Sequence, residues 1–349
     1  MAETIKDGED WEAALEKTAQ SGLTVSDLVR ARQVGRGRDA DSPADIPSRG
    51  WKDIAFRLLL SIPQNRLMTL SGGAAFFALL SIFPAIATIV SLYGMVADTA
   101  TVLDHLNLLA GILPTGVLEL IRQQIFSVAA KSNNTLGAAF AIGLLIALWS
   151  ANSGVSALFD ALNVVYGERE KRSLVHLYAT TLAVTLGSIV FVVISLIGVV
   201  GLPATILVLG VASPTEAWAQ VLRWPALLLV VMITLSVLYR VGPSRRDAKW
   251  RWITLGSSAA ALMWIAASML FSWYVASFDS YNRLYGSLGA AVGFMTWTWL
   301  SIFIVLLGAS LNAEIEHQTA RDSTLGPPKP LGARGAIMAD HVGKSIDEL

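Results

Sequence analysis

Cysteine is absent from this chain of 349 residues, so neither a disulfide framework nor a thiolate metal site can exist in it. Histidine is scarce. His105, His176, His317 and His341 are scattered, and none stands at metal-ligand spacing from carboxylates. No Ser-His-Asp order, phosphate-cradling glycine loop or paired-acid nuclease cluster is present. Together these absences leave no catalytic residue to nominate, no metal centre and no implied cofactor, and the reading is of a protein that is not an enzyme. Charge is scarce too, at 15% of residues against about 25% in an ordinary soluble domain. The first 66 residues lack a short apolar stretch ending in a small-residue cleavage site. A removable secretory signal is therefore not expected, and the first span is expected to target the protein itself.

What fills the chain instead is apolar: 54% of residues are hydrophobic and the mean hydropathy is +0.57. A bilayer core of roughly 30 Å needs about 20 apolar residues in a helix. Six nearly charge-free runs meet or approach this: Leu67–Ala97, Ser132–Asn163, Leu177–Ala212, Trp224–Tyr239, Trp252–Phe278 and Leu284–Ala313. The fourth spans only if Ala217–Leu222 joins it and Arg223 snorkels. The third carries Gly198, Gly201 and Pro203, which predict a break or bend at its outer end.

Basic residues set the orientation. Of 26 Lys and Arg, 22 fall before Leu67, in 167–176, in 240–251 or after Ala313. The remaining connections hold Arg122, Lys131, Arg223 and Arg283. The alternation predicts an all-α polytopic membrane protein with six transmembrane helices and both termini cytoplasmic.

The rest divides simply. Residues 1–50 read as a cytoplasmic tail and linker, with a capping box at Thr24–Asp27 and a flexible Gly- and Pro-bearing stretch over Gln33–Gly50. The membrane domain covers 51–316 and opens with an interfacial helix at 51–66, where Trp51, Ile54, Phe56, Leu58 and Leu59 mix with Lys52, Arg57 and Arg66. On the outer side, Asp98–Ala130 reads as two amphipathic helices forming a lid, or as a plain extracytoplasmic loop. The tail 317–349 reads as disordered.

Polar chemistry inside the membrane concentrates in the second span. Asn152, Ser156, Asp160 and Asn163 recur at helical spacing beside Trp149 and Ser153. Such a stripe must face protein or water, and an ionisable residue within a span points to function. At 1.5 Å per residue, Asp160 lies roughly 36 Å from Leu136, near the cytoplasmic interface, and Asn152 roughly 24 Å. A structural pair of Asp160 with Arg240 and a role in a substrate path are both open. Trp149, Trp264, Trp297 and Trp299 count to mid-membrane, where they either pack or line an amphipathic cavity. Arg245, Arg246, Lys249 and Arg251 stand among Tyr239, Trp250 and Trp252, which fits generic anchoring or recognition of a lipid headgroup. The acidic pairs Glu168/Glu170 and Glu314/Glu316 read as solvated edges.

The ordered segments ALLSIFPAIA, ALWSANSGVSALFDALNVVYG, LYRVGP, WRWITLGSSAAALMWIAASMLFSWYVASFDSYNRLYGSLGA and LLGASLNAEIE resemble the YihY/BrkB family, formerly labelled ribonuclease BN. The resemblance runs from about Trp51 to Glu316 and implies a six-span bacterial inner-membrane protein linked in name to virulence. It carries over Ser81, Pro84, Trp149, Ser150, Asp160, Asn163, Tyr166, Arg240, Pro243, Gly256, Tyr274, Tyr281, Tyr285, Gly286, Gly308, Asn312 and Glu314 as recurring residues. Asn152 departs from the smaller hydroxyl or alanine expected at its place.

The leading expectation is a transporter or flippase-like protein for a lipid or other amphipathic envelope molecule. Its substrate path would use Trp149, Asn152, Ser156, Asp160, Asn163, Arg240, Trp264 and Trp297. A non-transporting scaffold for envelope assembly is the alternative, and a ribonuclease comes third. Expected partners are membrane lipids and envelope proteins but not nucleic acid, with a homo-oligomer left open.

Overall fold

The computed structural model describes residues 23–94, 133–196, 214–277 and 289–349. Among these, regular structure is helical, apart from one isolated antiparallel bridge between Ala248 and Thr324. Helices α1 (Val25–Ala31) and α2 (Ser48–Gln64) precede six long ones. These are α3 (Leu67–Gly94), α4 (Asn133–Val165), α5 (Leu174–Leu196), α6 (Pro214–Val241), α7 (Trp250–Ser277) and α8 (Gly289–Glu316), followed by a single turn, α9 (Ile337–Asp340).

Each long helix overlaps one expected apolar run. Four stretches, Ala141–Val165, Leu174–Phe191, Trp250–Tyr274 and Val292–Glu316, are long and apolar enough to cross a membrane. Two shorter apolar stretches, Leu67–Ser81 and Leu228–Val241, complete the set among the described residues. Four of the six expected spans thus reach full length by this measure. Helix α6 continues through Pro225, so 217–222 does join the short fourth run. The Gly- and Pro-bearing end of the third run, the outer segment 98–130 and the aromatic run 278–288 lie outside the described residues.

The tightest seam joins α7 to α8. A Cβ on Gly256 would stand 2.3 Å from the Gly308 carbonyl oxygen, and one on Gly308 would stand 2.6 Å from the Ala260 Cβ. Only two glycines let the backbones approach this far, the usual device where helices associate in lipid. Asn312 exploits the approach. Its Oδ1 accepts from the Gly256 N–H at 2.8 Å and its Nδ2 donates to the Ile253 carbonyl at 3.0 Å. Tyr239 of α6 donates its hydroxyl to the Val305 carbonyl at 2.7 Å, tying a third helix to the seam. Trp299 of α8 donates to the Met68 carbonyl of α3 at 3.0 Å. Helix α3 packs along α4, whereas α5, among the described residues, packs extensively on α4 alone.

Residues 23–66, 166–173, 242–249 and 317–349 gather at one end of the bundle and build a cap. Here the structure corrects two expectations. The segment 33–50 and the tail 317–349, expected to be flexible and disordered, are folded onto α2 and the end of α8. Arg57 donates to Glu314 at 2.6 Å and to the Gln318 side chain at 2.8 Å. Arg36 binds Asp53 at 2.7 Å and also pairs with Asp347, while Arg30 reaches Glu348 at 2.7 Å. Arg38 is buried and donates to the carbonyls of Gln318 and Gly343. Burial, with the Arg57 charge nearby, lowers its pKa to about 10. The glycines that looked like signs of disorder make turns instead: Gly35, Gly37, Gly326, Gly332 and Gly335 all have positive φ.

Helix α2 is amphipathic in an unusual sense. Asp53, Ile54, Arg57 and Ser61 point into the cap, and Phe56 and Leu59 point out of it. The α1 capping box forms as expected, with the Thr24 N–H donating to Asp27 at 3.0 Å and the Asp27 N–H to the Thr24 hydroxyl at 3.3 Å.

Candidate functional site: a basic cavity below an apolar recess

The polar stripe of α4 divides along its length. Asn152 is partly buried, and its Oδ1 has no hydrogen-bond partner, a costly state inside a bundle that needs a compensating reason. Ser153 satisfies itself on the Trp149 carbonyl at 2.9 Å, and Ser156 is partly buried. Trp149 faces outward, 71% exposed, so it lies on the lipid side rather than against a cavity. Asp160 is exposed near the capped end, within electrostatic reach of Glu170 and Arg172.

The expected pair of Asp160 with Arg240 does not form. Arg240 instead bonds Asp247 at 3.3 Å and lies over the Trp250 ring at 4.6 Å. The reason is local, since both partners follow within ten residues in the same basic connection.

Asn163 organises the capped end. Its Oδ1 accepts from the Ser244 N–H at 2.7 Å and its Nδ2 donates to Glu170 at 3.1 Å. Arg172 holds Glu170 through both guanidinium branches at 2.8 Å. The same guanidinium donates to the Val241 and Gly242 carbonyls at the end of α6, where helical carbonyls lack partners. These Arg172 bonds hold the Glu170 carboxyl down at about 2.

The acidic pairs are thus corrected from solvated edges to paired counter-ions, buried at Glu168, Glu314 and Glu316 and partly buried at Glu170. Glu168 takes the Lys171 ammonium at 2.8 Å and the Ile337 N–H at 2.7 Å, bringing the tail against the α4–α5 connection. Glu316 pairs with the fully buried Arg245, which also lies over the Tyr166 ring at 4.5 Å. Burial works against the Arg245 charge, but Glu316 outweighs it and keeps its pKa above the ordinary value. The readable signal was the charge match: acids and bases occupy the same connections.

Two hollows follow. A cavity of about 410 Å³ at the capped end is lined by Lys171, Arg172, His176, Arg240, Arg245 and Arg246, with Gly335 of the tail in its wall. An apolar recess of about 140 Å³ lies deeper, among Phe191 of α5, Val231, Thr234 and Leu235 of α6, Ala260 and Trp264 of α7, and Val305 of α8. Trp264 donates to the Ser301 hydroxyl at 2.9 Å, and its ring lies 5.9 Å from that of Trp297. Of the expected substrate-path residues, Arg240 reaches the basic cavity and Trp264 the recess, with Trp297 against Trp264. Of the expected headgroup residues, Arg245 and Arg246 line the cavity. Lys249 turns away to the Asp322 carbonyl at 2.7 Å, and Arg251 is exposed outside. Among the described residues no group of His, Cys, Asp and Glu could hold a metal ion.

Apolar helices of spanning length, joined at one end by a charged cap, define an integral membrane protein. The profile of the Virulence factor BrkB family matches residues 59–331, and the chain belongs to that family. It is 30% identical over 268 residues to the Bacillus subtilis protein YfkH, whose name calls it ribonuclease-like, covering 75% of this chain and 93% of that one. It is 29% identical over 216 residues to a UPF0761 membrane protein of Idiomarina loihiensis, covering 60% and 71%. A UPF0761 membrane protein of Alteromonas mediterranea is 28% identical over 278 residues, covering 76% and 90%. No solved structure matches the chain.

Proposed function

We propose that this protein is a six-span transporter or flippase-like protein of the bacterial inner membrane, with both termini cytoplasmic, acting on a lipid or similar amphipathic envelope molecule. One observation carries the reading: α5 and α6 each contribute residues to both the basic cavity and the apolar recess. Thr180 and Phe191 on α5 are separated by roughly 16 Å of helix, and Leu235 and Arg240 on α6 by roughly 8 Å. A polar head in the cavity and chains reaching toward the recess fit that spacing. Because, among the described residues, α5 packs extensively on α4 alone, the α5–α6 side is the natural lateral entrance. The unpartnered Asn152 oxygen, with Ser156 and Asp160, supplies polar groups along α4. Gathering of the basic connections at one end supports the even number of spans and the positive-inside orientation.

Reconstituted protein speeds the transfer of labelled phospholipid between leaflets, and Asp160→Ala slows it. Equal rates with and without protein remove the proposal. A non-transporting scaffold is the second reading, favoured by the folded cap that joins both chain ends. Stable copurifying partners, with function surviving Asp160→Ala, would select it. The ribonuclease-like name of the B. subtilis relative makes RNA cleavage the third, and cleavage by protein free of contaminating nuclease would revive it.

A further inference from the structure

Five cations line the cavity at the capped end, but they are not equally available. Arg172 is spent on Glu170 and two helix-terminal carbonyls, Arg245 on Glu316, and Lys171 on Glu168. Besides the Trp250 ring beneath it, Arg240 is held by the 3.3 and 3.4 Å contacts to Asp247, whose carboxylate is half exposed. Arg246 has no carboxylate partner among the described residues, and its Nη1 is buried without any hydrogen bond. The four acids Glu168, Glu170, Glu316 and Asp247 neutralise the other four cations. The charge left over belongs to Arg246.

The fold holds this guanidinium in place without neutralising it. The Arg246 N–H donates to the Gly335 carbonyl at 3.1 Å. Gly326, at φ +98, lies so close that a Cβ there would stand 2.5 Å from the Arg246 Nη2. Two tail segments therefore shape the site, and the guanidinium keeps its donors for something absent from the protein's own bonds. Arg246 is partly buried, and a guanidinium nitrogen withdrawn from solvent and left unpaired is costly unless an anion completes it.

We propose that this cavity binds a phosphate-bearing anion, with Arg246 as its principal contact and Arg240, released from its long contacts to Asp247, as the second. Guanidinium matches phosphate through two parallel N–H donors, which an ammonium cannot do. A cavity of about 410 Å³ takes more than a bare phosphate and accommodates a phosphodiester with its glycerol. The source is either a phospholipid headgroup or a free phosphate. Only the lipid source rests on the transport reading; the anion site stands without it.

The test is calorimetric titration of the full chain in neutral detergent with two probes, inorganic phosphate and short-chain dihexanoyl phosphatidylglycerol. Losing one charge-assisted contact corresponds to about a tenfold loss of affinity or more. The expected result is tight phosphatidylglycerol binding that Arg246→Gln weakens by about that factor and Arg246→Lys recovers in part. Arg251→Gln, outside the cavity, leaves binding unchanged. If inorganic phosphate binds equally well with the same dependence on Arg246, the anion site is upheld and the lipid-transport reading falls. Because Arg246 breaks no ion pair on removal, Arg246→Gln is expected to elute and melt as the native protein. Binding that is absent in the native protein, or unchanged in both Arg246→Gln and Arg240→Gln, overturns the proposal.

Discussion

The α7–α8 seam and the α5 edge are built from similar apolar sequences, yet they meet their neighbours in opposite ways. In the seam two glycines bring backbones together and Asn312 bonds across them. On α5 the buried hydroxyls of Thr181 and Thr185 bond only carbonyls of their own helix, at 3.2 and 2.8 Å. Lipid supplies no hydrophobic drive between helices, so association rests on close packing and bonds that cross. The seam has both. Among the described residues, α5 makes no such bond to α6 and packs on it only sparsely.

Four measurements can break or sharpen this contrast. Gly308→Leu forces side-chain atoms into the space of Ala260 and the Tyr239 hydroxyl, and should cost about 3 kcal/mol or more in detergent stability. Asn312→Ala leaves a buried N–H and carbonyl without their cross-helix partner, and a loss of about 2 kcal/mol is expected by the same measurement.

A smaller effect follows pH. The Glu170 carboxyl sits near 2 instead of 4.5, so its contribution is fully present above pH 4.5 and is lost as pH falls toward 2. The native protein should lose thermal midpoint over that window, and Glu170→Gln should flatten the loss. Least of all, Thr185→Val should change stability by less than about 0.5 kcal/mol, because its bond stays within one turn. A Thr185→Val loss as large as that of Asn312→Ala would erase the distinction between the two regions.

Sequence reading found the long helices because lipid imposes a simple rule: apolar for about 20 residues, charged between. Helix α7 was expected over 252–278 and runs Trp250–Ser277. The site was only half readable. Periodicity placed Asn152, Ser156, Asp160 and Asn163 on one face, but helical spacing says nothing of partners. Asn163 is joined to Ser244, 81 residues on. The cap was missed for the same reason. Its bonds join Arg57 to Glu314 and Arg30 to Glu348, across 257 and 318 residues, and no local window registers them. Gly and Pro in the tail are as compatible with folded turns as with disorder, and composition alone chose wrongly.

Helix α2 turns Asp53 and Arg57 toward protein and Phe56 and Leu59 toward the surroundings. With α2 lying along the bilayer surface, as its sequence leads one to expect, Phe56 and Leu59 would act as a float line. Lifting the cap off the bilayer would drag both into water, while sinking it would drown Lys52 and Arg66 in hydrocarbon. In that arrangement the chain itself would set the height of the basic cavity relative to the lipid phosphates, and an occupant would not have to be reached for.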